Sequence, residues 1–126
     1  MGADEIRHKL LGKFRDVTGD RVERLVRALA AWEERGGDDL RAEIARELHT
    51  LKGEARMMGF GPLAELAHAA EDLLAVLPQG QPGERAAALR RACQAVPEML
   101  EEGPAGGPRT ADLAAQLRGL VRAPQT

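Results

Sequence analysis

Apolar residues recur at steps of three and four along almost the whole chain, and this period limits the fold more than any other feature. Between residues 39 and 58, Ile44, Leu48, Leu51, Ala55 and Met58 follow one another at steps of four, three, four and three, the spacing of a helix with one buried face. Leu63, Leu66, Ala67, Ala70, Leu74 and Leu77 do the same over 62–77. Residues 3–34 carry two stripes, Ile6, Leu10, Phe14 and Val17, then Val22, Leu25, Val26, Leu29 and Trp32. Gly19 separates them, and Asp20 with Glu23 resembles a capping box, so a break or kink is expected there.

Punctuation residues divide these stripes into helices. Gly36-Gly37 ends the first, and Asp38 or Asp39 can cap the second. Gly59 suits a left-handed C-terminal cap, and Pro62 suits the first turn of the third helix. Pro78 to Gly83 reads as a loop. Leu89, Cys93, Val96 and Leu100 mark a fourth helix over 84–101, kinked or shortened by Pro97. Residues 103–108 read as a flexible connector. Thr110 is placed to cap a short last helix that buries Leu113, Leu117, Leu120 and Val121. With no Tyr, two Phe and one Trp, the core must be built from Leu, Ala, Val and Met, a composition that disfavours strands. The expectation is an all-α fold: an antiparallel four-helix bundle with an additional short C-terminal helix, one domain over 1–122, and a tail at 123–126 that is disordered or begins a linker.

Several function classes fall away. Charged residues are 30% of the chain, interspersed in sign with a net charge of −2, and there is no basic stripe for nucleic acid. No apolar run is long enough for a membrane span. The single cysteine, Cys93, cannot form an intramolecular disulfide and sits on a core stripe, so a buried inert thiol and a cytoplasmic setting are expected. Only three of the eighteen cationic residues are lysines, Lys9, Lys13 and Lys52. His8 has no companions and reads as surface; Trp32 is expected to close one end of the core.

His49 breaks the pattern of its helix. At about 100° per residue it points roughly 140° away from the centre of the apolar stripe, into solvent. Lys52 follows one turn on. Gly53 sits mid-helix at a cost of about 1 kcal/mol relative to Ala, and leaves room for something to approach. The next helix carries His68 and Glu71, also at i and i+3. His49 and Glu71 each lie eleven residues from Phe60, and Lys52 and His68 each lie eight. In an antiparallel hairpin equal offsets give equal heights, so the four form one polar cluster on a helix seam. A neutral imidazole is a nucleophile, and a hydrogen bond to its other nitrogen fixes the tautomer. Glu71 can supply that bond directly or through His68, and Lys52 can balance phosphoryl charge. Met57 points outward two turns beyond His49, as an exposed contact for a partner.

The run His49-Thr50-Leu51-Lys52-Gly53-Glu54-Ala55-Arg56-Met57-Met58-Gly59-Phe60 resembles the signature of histidine-containing phosphotransfer domains. Leu66-Ala67-His68-Ala69-Ala70-Glu71 extends the likeness toward the N-terminal phosphotransfer domain of CheA-type chemotaxis kinases and their gliding-motility relatives. The strong likeness covers about residues 41–77. Glu54 departs from it, at a position often small in the family. The resemblance implies that His49 is the phospho-acceptor, with Lys52, His68 and Glu71 networked around it and Gly53, Arg56 and Met57 at the partner face. It implies a carrier that is no enzyme on its own, with no cofactor or metal in this domain. ATP and Mg would belong to the ATP-binding domain of a CheA-type kinase, the donor, and an aspartate of a response-regulator receiver would be the acceptor. Neither nucleic acid nor membrane is an expected partner. The start at Met1 and the Pro-containing end suit an N-terminal domain cut at its linker; a free-standing shuttle between receivers is the alternative.

Two rivals predict different outcomes. Glu65-Leu66-Ala67-His68 is one Glu-x-x-His, but a di-iron bundle needs two with further inward glutamates. A helical adaptor without chemistry predicts that His49→Gln leaves function intact.

Overall fold

The computed structural model describes residues 2–78 and 83–122. The expected loop at 78–83 lies largely outside them, as does the expected tail at 123–126. The described chain is helical: α1 (Ala3–Arg35), α2 (Asp38–Met57), α3 (Gly61–Val76), α4 (Glu84–Gln94), α5 (Val96–Glu101) and α6 (Pro108–Arg122), with no strand among the described residues. Helix α2 packs against α1 and α3, α6 closes on α3, and α4 and α5 lie along α1. The amphipathic stripes meet in one core that includes Leu25, Leu29, Trp32, Ile44, Leu48, Leu51, Phe60, Leu73, Leu89 and Leu117.

The α2–α3 turn follows from Gly59. Its φ of +78° lets the Phe60 N–H reach the Ala55 carbonyl at 2.8 Å while its own N–H reaches Arg56 at 3.2 Å, the paired bonds of a Schellman end. Phe60 then buries its ring against Phe14 of α1, with centroids 5.0 Å apart. At the other end of the hairpin the Arg41 guanidinium donates to the carbonyls of Leu74 at 2.5 Å and Leu77 at 2.7 Å. It also lies 5.8 Å from the Trp32 ring centroid. These two clamps fix the relative height of α2 and α3.

The first helix corrects two expectations. Gly19 does not break it into two elements; α1 runs unbroken for 33 residues. Thr18 and Val22, both buried on either side of Gly19, bind the helix to the core there, and such packing outweighs the roughly 1 kcal/mol a glycine costs. The first stripe is also largely unburied. Phe14 is in the core, but Ile6, Leu10 and Val17 stay exposed. Because Phe14 meets Phe60 at the hairpin tip, the turns of α1 before it project past that tip and leave Ile6 and Leu10 exposed, although Leu11 still packs on the core; Val17, one turn after Phe14, lies on the rim of a groove shared with Met57.

Toward the C-terminus, Pro97 acts as expected. It lacks an N–H and crowds the carbonyl four residues back, and the chain divides at Ala95 into α4 and α5 with Pro97 in the first turn of α5. Thr110 is not a cap: α6 starts two residues earlier at Pro108, and the buried Thr110 hydroxyl donates to Glu102 at 3.1 Å. The connector before it is tied down, since a Cβ at Gly106 (φ +70°) would stand 2.8 Å from Pro62.

Candidate functional site

The seam between α2 and α3 brings His49, Lys52 and Glu71 together. Glu71 is the hub. Its Oε2 lies 3.3 Å from His49 Nδ1, and its Oε1 lies 2.6 Å from Lys52 Nζ. The lysine contact is an ion pair set off the line of a well-directed hydrogen bond. The degrees of exposure separate the roles: the His49 side chain is 74% exposed, while those of Lys52 and Glu71 are 13% and 22% exposed. The seam thus presents an imidazole to solvent on top of a sheltered carboxylate–ammonium pair.

This geometry determines what the ring can do. Glu71 carries no proton to share when ionised, so the 3.3 Å contact requires Nδ1 to donate. The neutral ring then keeps its lone pair on Nε2, the nitrogen away from α3. Lys52 neutralises and holds the other carboxylate oxygen, which stops Glu71 from turning out into water. The equal-height argument from Phe60 pairs His49 with Glu71, as found, but it pairs Lys52 with His68, whereas Lys52 meets the Glu71 carboxylate instead.

His68 is not brought into this group. It turns along its own helix, with Nε2 3.5 Å from Asp72 Oδ2, and both side chains are about half-exposed. Asp72 did not stand out in the sequence, although a carboxylate four residues after a histidine is a sufficient signal for such a pair. Gly53 lies exposed, and a Cβ there would meet nothing within 4 Å. Arg56 and Met57 are exposed on the same helix toward the hairpin tip. Among the described residues no group of three or more His, Cys, Asp or Glu is placed to hold a metal ion. No described helix is long and apolar enough to cross a membrane. Cys93 is buried, and burial pushes its thiol up to about 12.

Comparison with known proteins gives three further findings. The family model for the Hpt domain matches residues 9–123. A gliding motility regulatory protein of Myxococcus xanthus is 38% identical over 104 residues, which are 81% of this chain and 13% of that protein. The chemotaxis protein CheA of Halobacterium salinarum is 49% identical over 45 residues, 36% of this chain and 7% of that protein. The chain therefore spans a small fraction of the length of the curated relatives it matches. No solved structure matches.

Proposed function

Because the chain belongs to the Hpt domain family and is therefore a phosphotransfer carrier of two-component signalling, we propose that Nε2 of His49 is its phospho-acceptor. The donor is the ATP-binding domain of a CheA-type kinase, and the acceptor is an aspartate of a response-regulator receiver. The chain acts as one domain of a CheA-like kinase in the cytoplasm.

The observation that carries this reading is the Glu71 contact: it occupies Nδ1 and leaves Nε2 bare on a side chain that is 74% exposed. In the loading step the Nε2 lone pair forms a bond to the γ-phosphorus of ATP as the bond to ADP breaks. The ring becomes cationic, with its proton still on Nδ1, and Glu71 stabilises that charge. ATP and its magnesium belong to the partner's active site, so this chain contributes a nucleophile held in one tautomer. Lys52 is a positioning residue that keeps Glu71 aimed at the ring. His68, Gly53, Arg56 and Met57 complete the proposed site as the surface that a partner meets around the acceptor.

The test is labelling by ATP with the catalytic core of a CheA-type kinase that lacks its own phosphotransfer domain, with wild type and His49→Gln compared. Labile in acid, stable in base and absent from the variant is the expected behaviour of the phosphate. An active cognate kinase that leaves the wild type unlabelled would overturn the reading and favour an adaptor.

A further inference from the structure

Helix α2 carries its acceptor off the core stripe, so the aim of His49 depends on how α2 is rolled about its own axis. At about 100° per residue His49 stands roughly 140° from the centre of the stripe and Lys52 about 80° from it on the same side, with Glu47 and Glu54 about 70° from it on the other. The apolar packing leaves room for a roll. Beside Glu71 an open groove of about 340 Å³ runs between α2 and α3, lined by Ala42, Ala45, Leu74 and Ala75. On that flank α2 offers methyl groups in place of long interlocking side chains. A roll of roughly 20° moves an atom about 6 Å from the helix axis through about 2 Å. Such a shift breaks the 3.3 Å contact from His49 Nδ1 to Glu71.

The opposite flank is held by charge. Arg21 of α1 spreads its guanidinium across α2, with Nη1 donating to Glu47 at 2.8 Å and Nη2 to Glu54 at 3.0 Å. The two carboxylates are seven residues apart, two turns or about 10.5 Å along one line of α2. One rigid fork therefore grips the helix at two levels. Arg24 backs Glu47 at 3.8 Å. The Arg21 side chain is 12% exposed, and its Nε and the Glu54 Oε2 are enclosed without a hydrogen-bond partner among the described residues. Sheltered charges of this kind are a poor source of stability, since apolar residues of similar volume do as well or better. What a planar fork adds is a single geometry. Glu54, the residue that departs from the family pattern, is its second anchor.

We propose that Arg21 is a positioning residue for phosphoryl transfer, locking the roll of α2 through Glu47 and Glu54 so that the His49 ring meets Glu71. The inference rests on the carrier reading above. With Lys52 and Glu71 on the α3 flank and Arg21 on the α1 flank, α2 is tied on both sides of its core stripe. Arg21 stands on the flank away from His49 and acts only through the helix. A misplacement of an ångström or more slows an oriented attack by about tenfold or beyond. The effect of losing the lock therefore falls on the limiting rate of loading and not on the affinity for the kinase.

The experiment uses two variants of the full chain. Removing Arg21 alone would strand two sheltered carboxylates, so the first variant combines Arg21→Met, Glu47→Gln and Glu54→Gln, which dissolves the lock and keeps the volume. The second is Arg21→Lys, which keeps the charge but cannot span both carboxylates. Circular dichroism and Tm are measured to show that each is folded. Loading from ATP by the kinase core is followed as a function of chain concentration, and nitrogen shifts of the His49 ring report its tautomer without any partner. Both variants should lose at least about tenfold in limiting rate with the half-saturating concentration within about twofold of wild type, and both should give mixed-tautomer shifts. Folded variants with the wild-type limiting rate and ring shifts overturn the lock. So does full rescue by Arg21→Lys, or a loss confined to the half-saturating concentration, which would mark a contact with the kinase. A wild type that stays unlabelled by an active cognate kinase overturns the carrier reading instead, and the ring shifts then decide the lock alone.

Discussion

Glu71→Gln is the sharpest perturbation of the site, because it keeps the shape of the side chain and removes its charge. The magnitude follows from two contacts. His49 Nδ1 stands 3.3 Å from Oε2, and loading places a positive charge on the ring. Unit charges about 4 Å apart attract by ~1 kcal/mol in bulk water and ~4 kcal/mol at an effective dielectric constant of 20. The carboxylate is mostly sheltered and the ring mostly exposed, so about 2 kcal/mol is reasonable, or roughly thirtyfold in loading rate. Lys52, 2.6 Å from Oε1, also loses its counter-charge and with it the reason to hold residue 71 in place. Rapid-quench labelling from ATP measures the rate, and nitrogen shifts of the His49 ring report its tautomer. The expected result is a slower reaction together with a mixed-tautomer signal. Loading within twofold of wild type, with Nδ1 still protonated, would refute the claim that Glu71 orients and stabilises the ring.

Three more predictions concern the scaffold. Gly53→Ala should raise Tm by a few degrees, since alanine gains up to about 1 kcal/mol in a helix interior and its Cβ meets nothing; lowered stability in thermal melts would contradict this. Arg41→Ala should cost about 2 kcal/mol in urea denaturation: two charge-assisted bonds to the end of α3 and the contact with Trp32 are lost, offset in part by water reaching the freed carbonyls, and a loss under 0.5 kcal/mol would show the clamp to be idle. The Cys93 thiol is raised from 9.0 to about 12 by burial. Above pH 9 the unfolded chain therefore binds fewer protons than the folded one. Stability is unaffected below pH 9 and falls by about 1.4 kcal/mol per pH unit from there toward pH 12. Cys93→Ala should lack that extra fall, and parallel pH profiles of the two proteins would exclude it.

The hairpin was the most legible part of the chain because its signals agree. The stripe through Ile44, Leu48, Leu51 and Ala55, the glycine at 59 and the proline at 62 all point to one turn, and two residues eleven positions from Phe60 then had to face each other. Where local signals met a long-range contact, the contact decided. Gly19 with Asp20 and Glu23 looks like a helix start, yet burial of Thr18 and Val22 carries the helix through. Ile6 and Leu10 have the spacing of a core stripe, but spacing cannot reveal that they lie past the Phe14–Phe60 contact at the hairpin tip. His68 matched the height of Lys52 and still turned to Asp72, since a partner on its own helix competes with one across the seam. The seating of Gly106 on Pro62 joins segments 44 residues apart and left no mark on either.

The acceptor and the carboxylate that orients it sit on one hairpin, with only Met58, Gly59 and Phe60 between the helices. This makes length, more than identity, the quantity that the turn must keep. One inserted residue would advance α3 by about 1.5 Å and rotate it by about 100°, carrying Glu71 off the seam. Two inserted residues would not restore it, and four would return the rotation while displacing the height by a full turn. Loops elsewhere can grow or shrink without such a penalty. Among descendants of this chain, insertions and deletions should therefore collect outside residues 49–71, and the spacing from His49 to Glu71 should survive changes in almost every residue between them.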